Sequence, residues 1–159
     1  MDAIQVVVFG LNGETCGVDT SQINSILKYE KIIISPDIPE FVEGVVEVRG
    51  TCVPVVNLNK RFGLGETEFC KKTKIIITQI GERLIGFVVN DVFEIYKLSP
   101  ENIETAPKLI QRVGNAYIRK VGKKEDKLIS IIDLEAVLTE NELMRLEEYL
   151  KDLEEKEEE

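Results

Sequence analysis

The sequence predicts an all-β fold with one C-terminal helix, built as two small β-barrels that share a hydrophobic junction. Many short apolar runs are separated by Gly, Pro and Asn-Gly, which favours small barrels over an alternating α/β arrangement. One pattern also occurs twice, about half the chain apart. Cys52-Val53-Pro54-Val55-Val56-Asn57-Leu58 leads through a helical turn to Phe62, and Leu128-Ile129-Ser130-Ile131-Ile132-Asp133-Leu134 leads likewise to Leu138. Val7-Val8-Phe9 before Gly13 parallels Ile75-Ile76-Ile77 before Gly81. Units this small bury too little surface alone, since even a domain of ~60 residues buries only about 60% of its unfolded surface. Two copies are therefore expected to share a core. The competing explanation is a coincidence of generic strand–turn–strand patterns.

The elements follow in order. Residues 4–9 form a buried strand ended by Gly10; Asn12-Gly13, both tolerant of positive φ, turns it into a return strand at residues 15–18. Asp19 caps a short helical turn in which Ile23, Ile26 and Leu27 share one face by i, i+3, i+4 spacing. Residues 31–35 are another β-rich run, closed by Pro36 and Pro39. Residues 41–58 make two strands hinged near 49–51, with Pro54 at an edge or a bulge because it lacks an amide proton. A brief helical turn at residues 57–62 stops at Gly63, and residues 63–72 are a polar connector. Residues 74–80, 83–89 and 92–98 are strands. Ser99-Pro100 suits a helix start, residues 103–115 are a loop, and residues 117–121 and 127–132 pair across a charged turn at 122–126. Thr139 with Glu142 makes a capping box, Leu138 staples onto Leu143, and Leu143, Leu146, Leu150 and Leu153 form one stripe. Beyond Leu153 the Glu-rich end is expected to fray, opposed by the helix dipole.

The 159 residues carry a formal charge of −9, from 29 acidic and 20 basic side chains. Residues 140–159 hold ten acidic and three basic ones, so the body is close to neutral. A basic stripe with interleaved aromatics is not evident, which argues against a nucleic-acid partner. No apolar run is long enough to span a bilayer, and the start lacks the pattern of a secretory signal, so a cytoplasmic location without membrane insertion is expected. The chain has no histidine, and its three cysteines, Cys16, Cys52 and Cys70, form no Cys-x-x-Cys pair; a zinc site and a cofactor are not expected. The cysteines are read as small, mostly buried thiols, with a reactive Cys52 as the alternative.

Little else points to catalysis. Gly63-Leu64-Gly65-Glu66 lacks the third glycine and the Lys-Ser/Thr of a phosphate cradle. Gly-x-Ser-x-Gly is absent, and no catalytic residue is assigned. Asp91 and Glu94, three apart in a strand, face opposite sides. More unusual is the run Val45-Val46-Glu47-Val48-Arg49-Gly50. Extended, it puts Val46 and Val48 on one face and Glu47 and Arg49 on the other. Arg49 then stands as a protruding donor beside Gly50, or simply as one half of a solvated acid–base pair.

The stretch Phe41-Val42-Glu43-Gly44-Val45-Val46-Glu47-Val48-Arg49-Gly50-Thr51-Cys52-Val53-Pro54-Val55-Val56-Asn57-Leu58 resembles the hallmark of the CheW family of chemotaxis coupling proteins, Phe-x-x-Gly-Val-x-Asn-Leu-Arg-Gly-x-x-x-Pro-Val-x-Asp-Leu. Gly86-Phe87-Val88-Val89-Asn90-Asp91-Val92 is similar to its second signature, Gly-x-x-Val-Asp-x-Val, and the resemblance runs over residues 4–138. It implies two SH3-like five-stranded barrels, roughly residues 14–72 and 73–135 of a domain spanning 1–139, with end strands open to exchange, followed by the acidic helix at 140–159. It also implies a non-catalytic adaptor without a cofactor. Its partners would be the regulatory domain of the histidine kinase CheA and the cytoplasmic signalling tip of chemoreceptors, with recruitment to membrane receptor arrays through them. By position, Ile23, Ile26, Gly44, Arg49 and Gly86 match receptor-facing places, and Val46 and Val48 are candidates for the kinase side. Ser25 replaces a common Glu, Glu47-Val48 replaces Asn-Leu, and Asn57 and Asn90 replace aspartates. Readings from other classes are a small cysteine-dependent enzyme centred on Cys52 and a structural β module that self-associates through its acidic helix.

Overall fold

The computed structural model describes residues 3–105 and 118–158, less the side chains of residues 119 and 156–158. Strand β1 (Ile4–Leu11) turns at Asn12 and Gly13, with φ of 40° and 90°, into β2 (Glu14–Asp19). Asp19 accepts from the Ser21 amide and caps a 3-10 turn, Thr20–Gln22. The expected helical face stops there: β3 (Ser25–Lys28) is a strand, because pairing with β6 (Lys74–Ile80) satisfies its backbone along a ladder. Ile26 and Leu27 therefore point to opposite sides. The run at residues 31–35 makes only one bridge, Ile33 to Val45, and leaves Ile33 and Ile34 exposed.

The two strands expected to hinge near residues 49–51 are β4 (Gly44–Val48) and β5 (Thr51–Asn57), paired as an antiparallel hairpin. β5 is not an edge: it lies between β4 and β7 (Arg83–Val89). Pro54 is tolerated for two reasons. Its partner Val45 turns its own amide and carbonyl to Ile33, so no Pro54 amide is needed on that side. On the other side the parallel ladder to β7 begins only at Val55. Helix α1 (Leu58–Arg61) follows, capped by the Asn57 side chain, and Gly63 has φ of 71° beyond its end.

Strand β8 (Asp91–Leu98) leads to a 3-10 turn, Pro100–Asn102, with proline in its first turn; Ser99 gives it no side-chain cap. Part of the expected loop is strand β9 (Ile103–Thr105), and its remaining residues lie outside those described. β10 (Ile118–Lys124) and β11 (Lys127–Ile132) pair as expected, although Tyr117 lies outside the described residues. Helix α2 runs from Glu140 to Glu158, past the expected fraying point at Leu153. Arg83 explains the extension, donating to Glu154 at 2.5 Å within its last turns. The capping box is present: Thr139 N donates to Glu142 Oε1 at 2.9 Å, and Glu142 N to Thr139 Oγ1 at 3.1 Å.

The strands form two curled sheets, ordered β3-β6-β7-β5-β4 and β8-β1-β2-β11-β10-β9. Sheet membership does not follow a cut after residue 72. β6 and β7 belong with β3–β5, whereas the N-terminal hairpin completes the sheet of β8–β11, which among the described residues has six strands instead of the expected five. The orders match if β8-β1-β2-β11-β10 is laid on β3-β6-β7-β5-β4, and each contains one parallel pair, β5 with β7 and β11 with β2. The repeat is thus a permuted one.

Alternation along the strands divides the core three ways. Val46, Val53, Val55, Ile75, Ile77 and Val88 fill the first sheet, and Val6, Val8, Leu98, Ile129 and Ile131 fill the second. The opposite faces, including Val7, Phe9, Val56, Ile76, Phe87 and Ile132, meet in a shared cluster. Leu146, Tyr149 and Leu150 of α2 close over that junction. Each fully buried aliphatic side chain stabilises by about 1.5–3 kcal/mol.

Candidate partner-binding surfaces

The β4–β5 hairpin turns at Arg49 and Gly50, with φ of 51° and 81°. Positive φ at both central residues gives the twist that suits a two-residue hairpin, and holding arginine there costs about 1–2 kcal/mol. The side chain of Arg49 stands exposed at the tip, with Glu47 exposed behind it. Ile26 on β3 is also exposed, at 38%.

The other residues matched to partner contacts are not on the surface in the same sense. Val46 is buried inside the first sheet and Val48 packs half-buried beside it. Ile23 is half-buried against the shared junction. A Cβ at Gly44 would fall 1.7 Å from Ile32 Cγ2, so the segment before β4 lies directly on that backbone. A Cβ at Gly86 would fall 2.7 Å from Ile75 Cγ2, inside the first sheet. Both glycines are positions of close packing. Of the seven, Ile26 and Arg49 are exposed, whereas Val46, Val48 and Gly86 pack within the first sheet, Gly44 lies against Ile32, and Ile23 packs at the shared junction.

The second sheet offers an equivalent surface that sequence reasoning missed. In the first sheet Ile26 pairs with Ile76, Glu47 pairs with Cys52, and Arg49 follows at the tip. In the second, Ile95 pairs with Val7, Lys123 pairs with Leu128, and Glu125 follows at the tip with φ of 57°. Ile95 and Leu128 are 62% and 66% exposed. Gly17 beside Ile131 repeats Gly86 beside Val55, and its Cβ would fall 2.9 Å from Ile129 Cγ2. The charges at the two ends are interchanged: Glu47 and Arg49 on one, Lys123 and Glu125 on the other. The signal was present in the sequence, since extending the match of Cys52 with Leu128 back by three residues sets Arg49 against Glu125.

Arginines clasp α2 to the body. Arg61 Nη1 and Nη2 donate to Glu142 at 2.7 and 2.5 Å, and its Nε donates to the Val137 carbonyl. Arg83 spans Glu147 and Glu154, and Arg145 on the helix donates to Glu40 at 2.9 and 2.6 Å. Those hydrogen bonds hold the Glu40 carboxyl down to about 2. At the seam a polar cluster joins the two units: Asn59 donates to Asn90 at 2.7 Å and to Thr67 at 2.8 Å, and the Asn12 amide donates to Asn90. Asn57 and Asn90, which stand for aspartates of the signatures, thus serve as a cap and a bridge.

The cysteines are arranged otherwise than expected. Cys16 is buried, and desolvation pushes its thiol up to about 12. Cys52 is half-buried on β5, whereas Cys70 is exposed. Its thiol is lowered by a hydrogen bond from the Lys72 backbone and then by Thr73, because residues 70–73 form a tight turn with Cys70 N donating to Thr73 Oγ1. Among the described residues no group of three or more acidic, histidine or cysteine side chains could hold a metal ion. Among the described residues no helix is long and apolar enough to cross a membrane.

Comparison with known proteins agrees with this architecture. Residues 5–142 match the family profile for the CheW-like domain. The chemotaxis protein CheW of Bacillus subtilis (strain 168) is 32% identical over 134 residues, covering 84% of this chain and 86% of that protein. The Klebsiella aerogenes chemotaxis protein CheW is 25% identical over 147 residues, covering 92% and 89%. The crystal structure of the scaffolding protein TtCheW from Thermoanaerobacter tengcongensis superposes with a TM-score of 0.77 at 33% identity, covering 89% of this chain and 90% of that one. The two curled sheets match the two-subdomain SH3-like fold of that structure. By profile, sequence and fold, the chain belongs to the CheW-like domain family.

Proposed function

We propose that this chain is a non-catalytic chemotaxis scaffold that couples the cytoplasmic tips of chemoreceptors to a CheA-type histidine kinase. One observation carries the proposal beyond family membership. The two hairpin tips occupy equivalent register positions yet interchange their charges, Glu47 and Arg49 against Lys123 and Glu125. A protein with two such ends offers distinct docking faces from one rigid body, as an adaptor requires. Exposed Ile26 and Ile95 provide apolar contact on each sheet, and the charges at the hairpin tips select the partner. Gly44, Val46, Val48 and Gly86 pack in the first sheet without touching a partner, and Ile23 packs at the junction. The mechanism is differential binding: the scaffold holds kinase and receptor so that the receptor's state biases the kinase's state. Recruitment to membrane receptor arrays would follow from the same contacts.

The test is calorimetric titration with a CheA-type regulatory domain and with a receptor signalling tip, using the native protein, Arg49→Glu and Glu125→Lys. Each reversal is expected to weaken one partner by about tenfold and spare the other, a shift of roughly 1.4 kcal/mol. A folded protein that binds neither partner would refute the coupling role. Equal loss for both partners in one variant would refute the assignment of separate faces.

A further inference from the structure

A second charged surface lies away from both hairpin tips. β3 ends at Lys28, directly opposite Lys74 at the start of β6. The Tyr29 amide donates to the Thr73 carbonyl at 3.0 Å, drawing residues 28–31 alongside residues 69–74. Tyr29 and Phe69 stack there, ring centroids 4.5 Å apart and planes at 28°, with Phe69 42% exposed. The two segments that carry this pair also carry Lys28, Lys31, Lys71, Lys72 and Lys74, interspersed with Glu30 and Glu68. None of the five lysines forms an ion pair with a described carboxylate; Lys74 Nζ donates instead to the Lys72 carbonyl at 2.8 Å. Like charges directly across a ladder destabilise it.

The complementary surface is on the same chain. The outer face of α2 carries Met144, 65% exposed, followed along one stripe by exposed Glu148, Asp152 and Glu155. These three acids make no ion pair with a described cation. A methionine among acids fits an aromatic pair among lysines, through sulfur–aromatic contact and opposite charge. One molecule cannot make this contact with itself. Arg83, at the far end of the β6–β7 hairpin, holds α2 through Glu147 and Glu154, while Lys74 begins β6, about 20 Å away by strand rise.

We propose that the chain associates head to tail, the outer stripe of α2 in one copy docking on the lysine-ringed Tyr29–Phe69 pair of another. The contact is heterologous, so each added copy leaves one free stripe and one free patch, and the assembly lengthens with concentration. It is small and charged, hence weak and sensitive to salt. It uses neither hairpin tip, so it stands or falls apart from the coupling role.

Sedimentation equilibrium of the full chain tests it, across concentration and at low and high salt. The expected result is a mass that rises with concentration at low salt and returns to the monomer at high salt. Lys71→Gln with Lys72→Gln removes the patch, and Glu148→Gln with Asp152→Asn removes the stripe; each variant alone should remain monomeric with unchanged circular dichroism. Mixed together, the two should form a one-to-one pair that grows no further, because one intact patch meets one intact stripe. Cys70, within the patch, should be alkylated more slowly as the native protein associates. A monomer under all conditions, association insensitive to both variants, or Cys70 labelling independent of association would each overturn the proposal.

Discussion

Replacing Gly86 with alanine tests whether this residue, shared with the second family signature, acts by packing or by contact with a partner. The new methyl would stand 2.7 Å from Ile75 Cγ2, 3.2 Å from Ile77 Cδ1 and 3.4 Å from Val55 Cγ2, all in the filled interior of the first sheet. Backbone conformation is not the obstacle, since Gly86 is not among the positive-φ residues. Alanine restricts the unfolded chain and on that account stabilises by about 0.4–1 kcal/mol. Overpacking opposes this by about 1–3 kcal/mol, so the net expectation is a loss of roughly 1–2 kcal/mol. For a chain of this size that lowers the melting temperature by about 2–8 °C. Urea unfolding followed by circular dichroism should show a lower midpoint at unchanged slope. Ile75→Leu moves the branch that carries Cγ2, so the double variant should be more stable than the two single effects predict. A Gly86→Ala protein as stable as the native one, or effects additive to within about 0.5 kcal/mol, would refute the packing account. Partner affinity of the folded variant should be unchanged.

Other outcomes follow from the helix and the thiols. Leu150→Ala should cost about 2–5 kcal/mol in thermal or urea unfolding, because the junction beneath α2 cannot refill the space. Thr139→Ala should cost about 1 kcal/mol by the same measurement, through loss of the cap to the Glu142 amide. Acid should loosen the clasp. Arg83 hydrogen bonds hold Glu147 and Glu154 below the ordinary 4.5, and at Glu142 burial raises the carboxyl but Arg61 and Thr139 outweigh it. Groups depressed on folding give stability that is complete above their unfolded value and is lost as pH falls through the folded one. The melting temperature should therefore hold down to about pH 5 and decline below 4.5, less steeply in Arg83→Met; an equal decline in that variant would count against the clasp. Mass-resolved alkylation should modify Cys70 first and Cys16 only on unfolding; rapid labelling of Cys16 in the native protein would contradict its burial.

The sequence disclosed the β series, the Asn-Gly hairpin at residues 12–13, the hinge near residues 49–51 and the capped C-terminal helix, because turn chemistry and apolar period are local properties. β3 was misjudged for a physical reason. Ile23, Ile26 and Leu27 fit a helical face by spacing, and only β6, some fifty residues on, supplies the ladder that makes a strand. Residues 31–35 show the converse: β-branched side chains do not make a strand where only Val45 is at hand to bridge. The site was half legible. Arg49 beside Gly50 declared itself through its motif, and it is exposed. Gly44, Gly86 and Val46 proved interior, a distinction no single strand can reveal, since a glycine under a neighbouring isoleucine and a glycine under a partner have the same letter. The second barrel end stayed hidden because equivalence lies in register, not in shared residues.

The permuted arrangement of the sheets sets an order on synthesis. Residues 25–89 hold every strand of the first sheet, so that sheet can close once they have left the ribosome. The hairpin at residues 4–19, made earlier, gains β8 on one side only after residue 98 and β11 on the other only after residue 132. Through that interval Val6 and Val8, which pack with Leu98, Ile129 and Ile131 in the finished protein, lack most of the side chains that cover them. The apolar face of this hairpin therefore waits longer for its partners than the interior of the first sheet does, and it is open to association in the meantime.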